Sequence, residues 1–178
     1  MKKSAAYIFF ICILCALFVS MSLNKTQYEF GKEDFVLHNR KNKVSLELNE
    51  TVEAIKKKLG EPYEVRRVKP NENIYDLMYD NIIIQYIESK QKAYWIRAIN
   101  PDFQTRRGVK VGDAVSKVYE LYTEDEISEV GKFGNSDDQY IYLFFNLEWE
   151  GWREPRFELY FIHDGTTVTK VELQYYSW

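Results

Sequence analysis

The sequence predicts an α+β fold: two tandem helix-plus-antiparallel-sheet units forming one domain, after an N-terminal transmembrane or signal helix. Three observations carry that expectation. An apolar stripe through Leu48, Val52, Ile55 and Leu59 is matched by one through Val111, Val115, Val118 and Tyr122, about 63 residues later. A fixed internal period governs architecture before any local assignment, and two units are too few for a solenoid. Each stripe is followed by runs of alternating β-branched and aromatic residues, the pattern of half-buried strands. Finally, residues 5–23 carry no charge and follow Lys2 and Lys3. The resulting organisation is 1–23 signal-anchor or signal peptide, 24–43 polar tether, 44–104 first unit and 105–178 second unit.

A basic start before an apolar run marks either a secretory signal or a signal-anchor. Nineteen uncharged residues lie at the short end of the ~17–25 that cross a bilayer as a helix. Ser20, Met21 and Ser22 offer small residues to a signal peptidase, whereas the length and the Phe and Ile content of the run favour retention. Cys15 follows Ile13 and Leu14, a poor match to an acylation box. All of these versions keep Lys2 and Lys3 on the cytoplasmic side and export the C-terminal domain. The expected location is the cell membrane, single-pass with the C-terminal domain outside the cytoplasm, or secretion if the signal is cleaved.

Residues 24–43 are polar, charged and weakly periodic, which reads as a tether with room for one short strand. The first unit opens on an alternating run, 44–48. Asn49 or Thr51 can cap the next helix by accepting a free backbone N–H, and Gly60 with Pro62 ends it. Strands are expected at 63–68, 74–79, 82–87 and 93–100, with Asp80-Asn81 as a tight hairpin turn. In the second unit Gly112 and Asp113 start the helix. Strands are expected at 127–130, 140–147, 157–162 and 168–175, with Asp164-Gly165 as a two-residue turn. Alternation splits the longer strands into faces. Ile141, Leu143, Phe145 and Leu147 form one face of their strand, and Tyr140, Tyr142, Phe144 and Asn146 the other. Phe157, Leu159 and Phe161 likewise oppose Glu158, Tyr160 and Ile162. One face is core, and the second mixes rings with charges in the manner of a contact surface.

Composition excludes several function classes. The formal charge is −3, and without Lys2 and Lys3 the balance is 22 basic to 27 acidic side chains, or −5. Nucleic acid is therefore not an expected partner, because phosphate binding needs a basic surface. The basic run His38 to Lys43 reads as a solvated linker, with anionic polymer or lipid headgroups as the alternative. Both cysteines, Cys12 and Cys15, lie in the apolar segment, so the exported part has no disulfide, thiol nucleophile or cysteine metal site. Its imidazoles are His38, in the tether, and His163, beside a turn; a zinc site wants three or four converging ligands. The chain carries no phosphate-binding glycine loop, dinucleotide fingerprint or nucleophile elbow. Clustered carboxylates at 124–126 and 137–138, and Glu148, Glu150 and Glu154, read as solvated loop acids, although glycoside hydrolysis also uses paired carboxyls. No catalytic residue, metal or cofactor is expected.

The segments 48–62 and 105–113, each leading into or through a helix followed by strands, resemble the tandem-repeat fold of the beta-lactamase inhibitory proteins. They are also similar to the small outer-membrane assembly lipoproteins (the SmpA/OmlA family). The resemblance spans roughly 45–176 and rests on short motifs of structural residues. It implies an exported domain that acts by binding other proteins. By that likeness, a concave aromatic sheet face drawing on Tyr142, Phe144 and Tyr160 grips the target, together with the hairpin at Asp80 and Asn81. This chain departs from the pattern in having no domain disulfide and no clear acylation box.

The best binding candidate in the residues themselves is the loop between the strands at 140–147 and 157–162, with Trp149, Trp152 and Arg153. Trp, Tyr and Arg dominate interface energetics; the competing reading folds both indoles back over the core. The expected surface combines Trp149, Trp152, Arg153, Tyr142, Phe144, Tyr160, Asp80 and Asn81. Its expected partner is an unidentified envelope or secreted protein of a bacterium, with membrane contact through residues 5–23. The alternative is a cell-wall or polysaccharide-binding protein, or a carbohydrate-directed hydrolase, in which the indoles stack on sugars.

Overall fold

The computed structural model describes residues 29–69, 73–134, 136–146 and 156–176. The apolar segment 5–23 and Trp149, Trp152 and Arg153 lie outside them. No helix among the described residues is long and apolar enough to cross a membrane.

A 3-10 turn, Lys32–Phe35, leads into β1 (Val36–Asn39) and β2 (Val44–Glu47). Helix α1 (Val52–Leu59) is followed by β3 (Glu64–Lys69), β4 (Ile74–Met78), β5 (Ile82–Ile87), β6 (Lys92–Ala98) and β7 (Phe103–Thr105). Helix α2 (Val115–Leu121) precedes β8 (Glu129–Lys132), β9 (Gln139–Asn146), β10 (Arg156–His163) and β11 (Val168–Tyr176).

The expected α+β class of two helix-plus-sheet units is overturned. Among the described residues strand accounts for 50% and helix for 14%, and the strands form two antiparallel sheets. One sheet has three strands in the order β2-β1-β7, and the other has eight in the order β3-β4-β5-β6-β11-β10-β9-β8. The large sheet runs straight across the supposed boundary between units. Its seam is β6 on β11, with Ala98 opposite Val171 and Ile96 opposite Leu173. The physical reason is length: the apolar stripes span only two helical turns, whereas the alternating runs give strands of up to nine residues.

The helices still start and stop for local reasons. Thr51 Oγ1 accepts from the Ala54 N–H at 3.2 Å, capping α1, and Gly60, at φ 85°, donates its N–H to Lys56 O to close it. Of the two residues able to cap, Thr51 therefore does so. Helix α2 begins after Ala114 rather than at Gly112 and Asp113. Asp113 instead accepts from the Lys110 N–H at 2.9 Å and from Lys117 Nζ at 2.8 Å.

One core lies between the large sheet on one side and the small sheet with both helices on the other. Leu77, Ile84, Ile96, Leu173, Leu159 and Leu143 form a fully buried row across six strands. Phe35, Leu37, Leu46, Ile55, Phe103 and Val118 cover the row from the other layer. The later part of the segment expected to be a tether therefore belongs to the core. Phe35 packs 5.7 Å from Phe157, and Tyr122 lies 5.3 Å from Phe161. Beneath the 3-10 turn, Arg107 donates to Asp34 at 2.9 Å, to Glu126 at 2.8 Å and to Leu121 O at 2.8 Å. Asp34 is fully buried and the Arg107 side chain is only 6% exposed, so this ionic hub ties the N-terminal turn to the end of α2; losing either partner would strand the other charge.

Candidate functional site

The face of the large sheet turned away from the helices is built by strand alternation. Register places Tyr142 opposite Tyr160 and Phe144 opposite Glu158, with Tyr140 opposite Ile162. On β11, Glu172 lies opposite Tyr160 and Gln174 opposite Glu158. The second half of the sheet thus gathers rings. Tyr142 and Tyr160 stack at 4.8 Å and 29°, and Tyr142 and Phe144 at 5.9 Å and 27°. Tyr140 meets Tyr160 edge-on at 6.0 Å, and Phe133, just beyond β8, lies 4.7 Å from Tyr140.

Under these rings sits a carboxylate. Glu158 is only 1% exposed although its strand position points outward. It accepts from Tyr142 Oη at 2.8 Å and Tyr160 Oη at 3.0 Å, and it pairs with Arg156. The Arg156 guanidinium also lies 5.6 Å from the centre of the Phe144 ring. Burial, reinforced by the adjacent Glu158 charge, pushes both tyrosine hydroxyls above their ordinary range. The hydroxyls are therefore committed inward and the rings are held in place. What reaches solvent is Phe144, at 37%, and Phe133, at 41%, with Tyr140 and Tyr160 half-buried between them.

A groove of ≈ 420 Å³ runs along this face beside β8, lined by Glu129, Lys132, Phe133, Tyr140, Arg156 and Tyr160 among others. Gly131 belongs to its construction. A Cβ at that position would lie 2.6 Å from Tyr140 Oη, so the tyrosine ring occupies the space that a side chain on β8 would fill. Tyr140 Oη donates to Glu129 at 2.7 Å, fixing the ring over the glycine.

The same outward face on the first half is different. Arg66 donates to Asp76 at 2.8 Å, and the other oxygen of Asp76 is buried without a partner. Glu172 accepts from Trp95 Nε1 at 3.1 Å and from Arg97 Nε at 2.6 Å, and Arg97 lies 4.2 Å over the indole. Trp95 is buried beneath its arginine.

Of the residues expected to form one surface, Tyr142 stacks on both Phe144 and Tyr160, although Tyr142 is 8% exposed and contributes little area itself. Asp80 and Asn81 do form the β4–β5 turn, where the Tyr79 N–H donates to Ile82 O at 3.0 Å. That turn is separated from the rings across the sheet, with β6 and β11 between. Met78 and Ile83 share a cross-strand row with Tyr160 and Tyr142, and the turn leaves the sheet toward the Ile162 end, whereas β9 and β10 are joined beyond Asn146 and Arg156. Asn81 instead donates to Asp102 at 3.4 Å, which Lys41 holds at 2.6 Å. Trp149, Trp152 and Arg153 lie outside the described residues.

Sequence reasoning put Glu158 on this face without a role, and it passed over Arg156 and Gly131. Each is unremarked by composition and acquires its role only through a cross-strand neighbour. Glu126 is bound to Arg107 and Asp138 to Lys170 at 2.8 Å. His163 is buried, with Nδ1 accepting from the Gly165 N–H at 3.1 Å and Nε2 without a partner. Among the described residues no group of three or more His, Cys, Asp or Glu side chains is placed to hold a metal ion. No family model, curated protein or solved structure matches the chain.

Proposed function

We propose that this chain is an exported bacterial domain that binds a protein partner in the cell envelope and performs no catalysis. It is tethered through residues 5–23, or secreted where the signal is removed. The observation that carries the reading is the aromatic face of β9 and β10, whose rings are fixed from below by Glu158. Rings and an arginine held in place lose little conformational freedom on contact, and Tyr, Trp and Arg are the residue types that anchor interfaces. Trp149, Trp152 and Arg153 belong to the same reading because they lie in the connection between these two strands. The resemblance to exported protein-binding families points the same way.

The test places a photo-crosslinking residue at Tyr176 in the full chain, in cells, with and without the pair Phe133→Ala and Phe144→Ala. Both phenylalanines are exposed, so the double variant is expected to keep its melting temperature. A discrete crosslinked protein that disappears with the double substitution supports the proposal. Crosslinks that persist unchanged refute it. Loss of co-sedimentation with purified peptidoglycan, with protein crosslinks intact, would instead assign the face to polysaccharide.

A further inference from the structure

We infer that the partner contributes an extended strand that adds to the free edge of β8, entering the groove with an aromatic and a basic residue two positions apart. This rests on the protein-binding reading above and names the chemistry of the guest.

Among the described residues the last strand of the large sheet is β8, and its one partner there is β9. The Phe133 N–H donates to Asp138 O at 3.2 Å, in the register that continues from Gly131 opposite Tyr140. Hydrogen-bonded positions alternate along an antiparallel pair. Glu129, Gly131 and Phe133 therefore turn their backbone groups toward β9, and Val130 and Lys132 turn theirs outward, where no described strand lies. Next to these open donors and acceptors stand two exposed apolar side chains, Val130 at 53% and Phe133 at 41%. Native sheets usually cover such an edge or guard it with charge. At the opposite edge β3 sets Glu64, Arg66 and Arg67 beside its exposed Val65 and Val68, whereas β8 has a single lysine and a single glutamate.

The side chains of the edge specify the guest. Gly131 projects nothing, so a guest residue opposite it meets the Tyr140 ring, with Phe133 packed 4.7 Å from that ring. An aromatic residue suits that position, where a neighbouring ring covers a cross-strand glycine. Two positions along, the guest faces Glu129, whose exposed carboxylate is already oriented by Tyr140. A lysine or arginine suits that one, since opposite charges directly across a ladder attract. Main-chain pairing of this kind gives affinity, and alternate side chains give specificity.

A second copy of the chain fits less well. Setting Val130 against Val130 puts Glu129 opposite Gly131, and setting Val130 against Lys132 puts glycine on glycine and leaves the Tyr140 ring uncovered. Setting Lys132 against Lys132 does bring Phe133 opposite Gly131, but it places two like charges face to face, which is destabilising.

The probe is the peptide Thr-Thr-Phe-Thr-Lys-Thr with an N-terminal fluorophore, titrated by anisotropy against the full chain in detergent micelles. Saturable binding is expected. Val130→Pro removes an outward donor while leaving the β9 ladder intact, and should weaken binding about tenfold at an unchanged melting temperature. A probe N-methylated at the residues facing Val130 and Lys132 should lose as much, and that arm does not depend on how a variant folds. Replacing its Phe by Ser should weaken it as well. The inference is overturned by a probe that never saturates, by N-methylated and plain probes of equal affinity, or by a folded Val130→Pro variant that binds normally. It is also overturned if Val130→Pro instead abolishes a concentration-dependent dimer. Crosslinks lost with the Phe133 and Phe144 substitutions, alongside equal affinity for both probes, would leave the binding face standing and remove strand addition alone.

Discussion

The two halves of the large sheet place carboxylates in the same unusual position, pointing away from the core yet buried, and complete them differently. Asp76, in the first half, has one partner, the half-exposed Arg66, and keeps one oxygen bare. Glu158, in the second half, accepts from two tyrosine hydroxyls and from Arg156. A buried carboxylate is costly unless fully satisfied. In the first half that cost is tolerated under a flap of arginine. In the second it is offset by hydrogen bonds that at the same time lock an aromatic surface in place. The difference shows how an outward-facing charge can serve as a fastener for a contact surface rather than as part of the contact.

If the halves share one core, truncating either should unfold both. Ile84→Ala and Leu159→Ala each remove a fully buried side chain, and each should cost about 2–5 kcal/mol. Both should give a single urea transition that is the same by fluorescence and circular dichroism. Two separable transitions would break the comparison at its root.

Next in size is the contrast between the carboxylates. Glu158→Gln should cost about 1–3 kcal/mol, because it removes a charge that three donors surround. Asp76→Asn should cost less, since solvent already screens its single partner. Chemical denaturation of the two variants side by side checks the order, and the reverse ranking would show that Glu158 is not the fastener.

Acid should act on both sheets, because each carries an imidazole that burial holds below its ordinary value, His38 in the small sheet and His163 in the large one. At His163 the effect of burial is partly offset by Asp164. The unfolded chain therefore takes up the proton first, from about pH 6.5 downward. Stability should be fully present above that value and should decline as pH falls toward the folded value. His163→Gln should flatten part of the dependence of melting temperature on pH between 7 and 5, and His38→Gln, whose imidazole burial and Arg40 also hold low, should flatten a further part. A wild-type profile already flat over that range would show that neither imidazole carries such a linkage.

The smallest expected effect is the most local. Gly131→Ala should change global stability by no more than about 0.5 kcal/mol, since Tyr140 can swing aside. It should nonetheless free the tyrosine hydroxyl from Glu129, which now holds its pKa above the ordinary value. A tyrosinate titration that is unchanged would mean that the ring does not depend on the glycine.

Much of the secondary structure was legible because it depends on local periodicity. The strand at 82–87 was placed to the residue, β9, β10 and β11 to within one or two, and both helices from their stripes. The candidate site was legible in part. Alternation put Tyr142, Phe144 and Tyr160 on one face, and they do stack. It also joined Asp80 and Asn81 to them, but the β4–β5 turn lies across the sheet with β6 and β11 between, because the strand order depends on the pairing of β6 with β11. Residues 32–39 read as linker because their core contacts, such as Phe35 with Phe157, join positions more than a hundred residues apart.

By itself, then, the sequence determined where the chain is extended, where it turns, and which side of each strand is apolar, since those properties depend on neighbours a few positions away. Tertiary structure alone decided that strands from both halves merge into one eight-stranded sheet, that Asp34 and Glu158 are buried, and that Tyr140 lies over Gly131. Each of these depends on which residue stands across the ladder or above it. A charge or a glycine acquires its meaning only once register sets that neighbour.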